Sequence, residues 1–349
     1  MRGGVLLLAS ALAFGCADTP DAPHPAADAI AATAPASIGR AAAADCAAVR
    51  VDASAALPSA APAARRAEPP FYCIAGEGGA DLLLLGTIHF GPPQGWTLSR
   101  PVRAGLQRAD GFVLEVDLRR EDPERIGDLL AELAVLGPGE RLPDLVAPET
   151  AALLDARDAT LTALGFPRGA RDGRAPWYLA TALVELPIEA NGWSLAASLD
   201  VQVLGAAGTR PVLGLETAEE QLRMLAGLPL PVQDLMLRDT LARLDEATAS
   251  LRALARAWQV GDEATLESLA REGVDALPGL DRLYEVLLDE RNRRWLARLR
   301  PLLADPARAG QTLVVAVGAL HLPGPEGLVA LLRDAGYRAS RIDQKDPIR

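Results

Sequence analysis

The chain has 349 residues, half of them hydrophobic and 23% charged, a composition that supports a sizeable buried core and excludes a disordered protein. Its formal net charge is −11, and up to residue 66 five arginines balance five aspartates, so the acidity belongs to the folded part. Such a surface repels phosphate backbones, which excludes nucleic acid as an expected partner.

Arg2, an apolar run over residues 5–14 and the small residues Gly15 and Ala17 around Cys16 read as an export signal over residues 1–17. The tract Ala13-Phe14-Gly15-Cys16 is similar to a bacterial lipobox, although Phe14 is bulkier than that pattern tolerates. The expectation is a periplasmic or lipid-anchored envelope protein, the alternative to lipidation of Cys16 being ordinary cleavage near Ala17. No later uncharged run reaches the roughly 20 residues a membrane-crossing helix needs. Membrane contact is therefore expected only through the N-terminal anchor. Residues 18–67 are rich in alanine and proline and poor in large apolar side chains, the composition of a flexible tether. Cys46 and Cys73 are expected to pair in an oxidising compartment, the alternative being two free thiols.

Residues 68–349 read as one α/β domain. Strands are expected at 71–75 and 81–85 around a Gly76-Glu77-Gly78-Gly79 turn, then a helix from Pro101 to about Ala109 capped by Ser99, then a strand at 111–117. Strand, helix and strand predict a parallel crossover unit. Residues 123–207 carry helical periodicity broken at Gly137-Pro138-Gly139, Gly165-Phe166-Pro167 and Pro187, and a short strand follows at 211–215. Thr217 and Glu220 have capping-box spacing, which makes Glu220 structural. Helices continue to Ala304, followed by a strand at 312–317, a helix at 323–335 and a last strand at 337–342. The fold class is thus α/β: a mixed, largely parallel sheet, with a mainly helical insertion between its N- and C-terminal segments.

The chemistry concentrates in an echo, Leu85-Gly86-Thr87-Ile88-His89 and Val317-Gly318-Ala319-Leu320-His321. Each is a Gly-x-x-His motif directly after an apolar strand, where glycine permits a sharp bend and ligands bind in open α/β sheets. The chain has three histidines, and His24 lies in the tether. With 31 glycines in 349 residues, chance would place one three positions before both remaining histidines about once in a hundred. The two are therefore read as one site rather than as separate core residues.

Glu115, flanked by Leu114 and Val116, is costly to bury without a metal, an arginine or a proton, and Asp117 shares its face by alternation. Glu216, after Pro211-Val212-Leu213-Gly214-Leu215, ends a strand in the same way, or serves the following helix terminus. His89, His321 and Glu115 suffice to hold a divalent cation (Mn, Co or Zn) that would acidify a water. Without metal, His89 would act as general base, oriented by Glu115, with His321 stabilising charge. A third alternative is a haem- or ligand-binding protein without turnover. The Gly-x-Ser-x-Gly, His-Glu-x-x-His, phosphate-loop and Cys-x-x-Cys motifs are absent.

Over residues 70–343 the chain resembles the TraB/GumN family, which is related to the Tiki metalloproteases. The resemblance is carried by Leu84-Leu85-Gly86-Thr87-Ile88-His89, Phe112-Val113-Leu114-Glu115-Val116-Asp117 and Pro211-Val212-Leu213-Gly214-Leu215-Glu216-Thr217 with Glu220-Gln221. Further along it continues in Glu290-Arg291-Asn292 and Val315-Ala316-Val317-Gly318-Ala319-Leu320-His321-Leu322-Pro323-Gly324. It implies a metalloprotease-like hydrolase acting on a peptide or small-molecule substrate, with His89, Glu115 and His321 as site residues. Arg291 would be their charge partner or a substrate clamp.

Overall fold

The computed structural model describes residues 66–344, apart from 272, 273, 275 and 276. The expected signal segment, Cys16 and Cys46 lie outside the described residues. Cys73 is buried and disulfide-bonded. Ala67, assigned to the tether by composition, is buried and bridges Leu98, so the domain begins there. Among the described residues no helix is long and apolar enough to cross a membrane.

Six strands form one mixed sheet: β1 (Phe71–Ile74), β2 (Asp81–Thr87), β3 (Gly111–Val116), β4 (Val212–Glu216), β5 (Thr312–Gly318) and β6 (Ala339–Arg341). Their order across the sheet is β4-β3-β5-β2-β1-β6, with β4, β3, β5 and β2 parallel and β1 antiparallel to both β2 and β6. The inner parallel strands β3, β5 and β2 are apolar because both their faces are covered, whereas the edge strand β4 leaves Leu213 exposed. Leu83, Leu85, Phe112, Leu114, Val314 and Ala316 pack towards Val203, Leu254 and Trp258. The alternate residues Leu82, Leu84, Val113, Val315 and Val317 pack towards Trp295, Leu299 and Leu328. A third apolar cluster holds the helical insertion together around Trp177, Leu183, Met236 and Tyr284.

The insertion is divided by β4 into two helical stretches, and two of the expected helix boundaries in the domain shift. Pro187 does not end its helix, which runs Pro176–Ala190. It lies in the last turn, and the helix ends three residues beyond it. The expected helix at 323–335 begins only at Leu328, because Gly324 turns the chain at φ 84°.

The capping box at Thr217 has both halves: Thr217 Oγ1 accepts from the Glu220 amide at 3.1 Å and Glu220 Oε2 from the Thr217 amide at 2.8 Å. Thr217→Ala is expected to lower the unfolding free energy by about 1 kcal/mol in urea titration, and no change would mean the cap is redundant.

Register places the site. In the parallel β2 and β5 pair Thr87 lies opposite Gly318, Leu114 of β3 opposite Ala316, and Val116 opposite Glu216. Four carboxyl ends are thus aligned, and the residues leaving them, His89, Glu115, Glu216 and His321, converge.

Candidate functional site

The glycines of the two motifs are needed for space rather than for bending, since neither Gly86 nor Gly318 has a positive φ. A Cβ on Gly318 would stand 2.8 Å from His89 Nε2 and 3.2 Å from Glu115 Oε1. One on Gly86 would press on Ala319 at 3.1 Å. The site atoms occupy the volume that a side chain would take.

Both histidines face one oxygen. His89 Nε2 is 4.0 Å and His321 Nε2 3.9 Å from Glu115 Oε1. That oxygen also accepts from the Gly318 amide at 2.6 Å, while Oε2 accepts from Arg291 Nη2 at 2.8 Å and Gln221 Nε2 at 3.4 Å. Glu115 is therefore held by a hydrogen-bonded arginine, which is what burial of a carboxylate on an apolar strand requires. Asp117 is not part of the cluster; it pairs with Arg119 at 3.1 Å and caps the turn that follows β3.

The histidines differ. His321 is fully buried, its ring 4.3 Å from that of Trp295. Asn292 donates from Nδ2 to the His321 and Glu326 carbonyls, so its Oδ1 faces His321 Nδ1 at 2.7 Å. This assigns the ring proton to Nδ1 and leaves the Nε2 lone pair to accept from Arg291 Nη1 at 3.2 Å. Burial, the Arg291 charge and His89 together hold its pKa well below the usual histidine value. His89 keeps about a fifth of its side chain exposed, and its Nδ1 lies 3.0 Å from Asp200 Oδ2. Burial pulls its pKa down, but the Asp200 carboxylate, helped by Glu115, outweighs it and raises the value to about 9. His89 Nε2 is buried without a hydrogen-bond partner.

Arg291 is the hub of the cluster rather than a free clamp. Its Nε donates to Glu216 Oε2 at 3.0 Å, Nη1 also to the Leu287 carbonyl at 3.1 Å, and the guanidinium lies 4.6 Å from the Trp295 ring. With Nη1 and Nη2 already on His321 and Glu115, the side chain is buried and committed. Leu287 belongs to a π-helical turn, Glu285–Asp289, directly before the helix that carries Arg291. Glu216 accepts from Trp295 Nε1 at 2.9 Å and Gln221 Nε2 at 3.3 Å besides Arg291. It holds the arginine and does not face the histidines.

Sequence reasoning missed Asn292 as an orienting group, although it stands in the quoted Arg-Asn pair, and Asp200 altogether. Asp200 follows the N-cap Ser198 and reads as an ordinary helix-start acid. Its spacing from His89 carries no signal.

His89, Glu115 and His321 carry the donor types that a divalent cation takes. His89 Nε2 has no partner, and its other nitrogen faces a carboxylate, the pairing that metal-bound histidines use. Among the described residues no group of three or more His, Cys, Asp or Glu side chains is spaced to hold a metal ion. Separations of 3.9 and 4.0 Å are wider than the roughly 3.4 Å between ligand atoms on a tetrahedral zinc, so closure of about half an ångström is needed. His321 would also exchange its Arg291 hydrogen bond. The cluster opens into an apolar cleft lined by Phe90, Leu254, Trp258, Leu266, Leu287 and Leu288.

The family model described as TraB/PrgY/gumN family matches residues 70–341. The "Uncharacterized protein YbaP" of Escherichia coli (strain K12) is 29% identical over 254 residues, which is 72% of this chain and 87% of the relative. The protein of the same name from Shigella flexneri gives the same figures. No solved structure matches significantly.

Proposed function

The chain belongs to the TraB/PrgY/gumN family, and from that premise we propose that it is a divalent-cation-dependent, peptidase-like hydrolase of the cell envelope. The observation that carries this reading is His89 Nε2, a buried nitrogen without a partner, facing the Glu115 oxygen that His321 Nε2 also faces. His89, Glu115 and His321 would hold the cation through Nε2, Oε1 and Nε2. When bound, it supplies Lewis acidity and an acidified water at neutral pH.

The other residues orient and enclose. Asn292 presents the Nε2 lone pair of His321 by taking its Nδ1 proton. Arg291 and Gln221 hold Glu115 Oε2, which leaves Oε1 turned towards the histidines. The leucines and Trp258 of the cleft surround the cluster with apolar surface, and the substrate we propose is a peptide or small molecule. The export setting rests on the N-terminal residues and the acidic charge of the domain argues against nucleic acid.

A haem needs a clear axial nitrogen on a flat apolar slot, whereas the two histidines crowd one carboxylate.

Calorimetric titration of the chelator-free protein with Mn²⁺, Co²⁺ and Zn²⁺ tests the proposal. One of them should bind the parent, and Glu115→Gln should bind it at least about 10-fold more weakly. A parent that binds none of the three would sink the hydrolase reading.

A further inference from the structure

One short segment of the helical insertion is stitched by its backbone to the chain around His89. Gly91 and Ser194 exchange two backbone hydrogen bonds of 2.9 Å, and the Leu199 amide donates to the Ile88 carbonyl at 3.0 Å. Packing here leaves no slack: a Cβ on Gly91 would stand 2.1 Å from the Ala197 carbonyl oxygen. Ser198 caps the Leu199–Ala207 helix, its Oγ accepting from the Val201 amide at 3.2 Å, and so fixes the first turn that carries Asp200.

From that turn Asp200 reaches back to the strand end. Thr87 Oγ1 donates to Oδ1 at 2.6 Å, which sets the rotation of the carboxylate and turns Oδ2 to His89 Nδ1 at 3.0 Å. Thr87 is itself fixed as a buried residue of β2. An imidazole ion-paired at Nδ1 with an anchored carboxylate has one remaining nitrogen, and here that nitrogen points at Glu115. We propose that Asp200 is the positioning residue of the site: anchored by Thr87, it fixes the His89 ring with Nε2 turned towards Glu115 and His321.

The role rests on the proposed cation site for its functional consequence, but the positioning itself does not. It also gives the insertion a task, since Asp200 arrives 111 positions after the histidine it holds and only the stitched segment brings it there.

The chain's three histidines make ¹⁵N-histidine labelling of the full protein a direct probe of the ring. Asp200→Asn, which keeps shape and the contact with Thr87, should move the His89 ring-nitrogen signals and leave those of His321 in place. Cation affinity measured with Zn²⁺ or Mn²⁺ alone should fall about 10- to 100-fold, as for loss of an orienting partner. Thr87→Val removes only the hydroxyl anchor and should move the same His89 signals less far; it carries the test if Asp200→Asn fails to fold. Unmoved His89 signals overturn the inference. If Asp200→Asn binds the cation as the parent does, the inference is overturned as well, while the hydrolase reading stands. If the parent binds no cation, that reading fails, and the ring signals alone decide for or against Asp200.

Discussion

Arg291→Ala is expected to be the most destabilising single change in the domain, on the order of 3–5 kcal/mol in guanidinium unfolding followed by tryptophan fluorescence. The reason is charge rather than volume. Arg291 is the cation between two carboxylates, Glu115 and Glu216, whose side chains are only 7% and 8% exposed. Removing it leaves both buried without their main partner, and strips the hydrogen-bond donor from His321 Nε2 and a covering charge from the Trp295 ring. Arg291→Lys should recover little, because a single ammonium cannot reach Glu115, Glu216, His321 and the Leu287 carbonyl from one stem. Arg291→Met combined with Glu216→Gln should recover more than Arg291→Met alone, since one of the stranded charges is then gone. A loss below about 1 kcal/mol for Arg291→Ala would show that the carboxylates are satisfied without it.

That same arginine shows what sequence could and could not tell. The strands were legible because apolar runs of this length between glycines and prolines have one use in an α/β chain, and β2, β3 and β5 stand where 81–85, 111–117 and 312–317 were expected. The paired motifs were legible because both histidines follow such a strand. Glu115 was legible as a carboxylate in an apolar strand, and the structure supplies the arginine that its burial demands. What each carboxylate does was not legible. Glu216 and Asp117 share the strand-end signature of Glu115, but whether the opposing side chain is Arg291, Trp295, Arg119 or a histidine depends on helices packed from afar. Likewise the glycines were expected for a bend and serve close approach, a demand that exists only once Ala319, His89 and Glu115 surround them. Asp200 is the extreme case, since its position relative to His89 is set by three backbone hydrogen bonds between distant segments.

The two histidines should part company when each is replaced by alanine. Both changes are expected to remove cation binding, because each takes one of the three donors on which the proposed site depends. Their stabilities should differ. His89 is partly exposed, and its partner Asp200 keeps Thr87 as a donor and some contact with solvent, so His89→Ala should cost about 1 kcal/mol or less. His321 is fully buried, and His321→Ala strands Asn292 Oδ1 and an Arg291 donor while opening a gap against Trp295, so it should cost about 2–4 kcal/mol. His321 thus joins the core to the site, whereas His89 belongs to the site alone. Denaturant titration and calorimetry on the same two proteins read both quantities. If each variant binds the cation as tightly as the parent, the histidines do not share a metal site, and the convergence of their Nε2 atoms on Glu115 serves the fold.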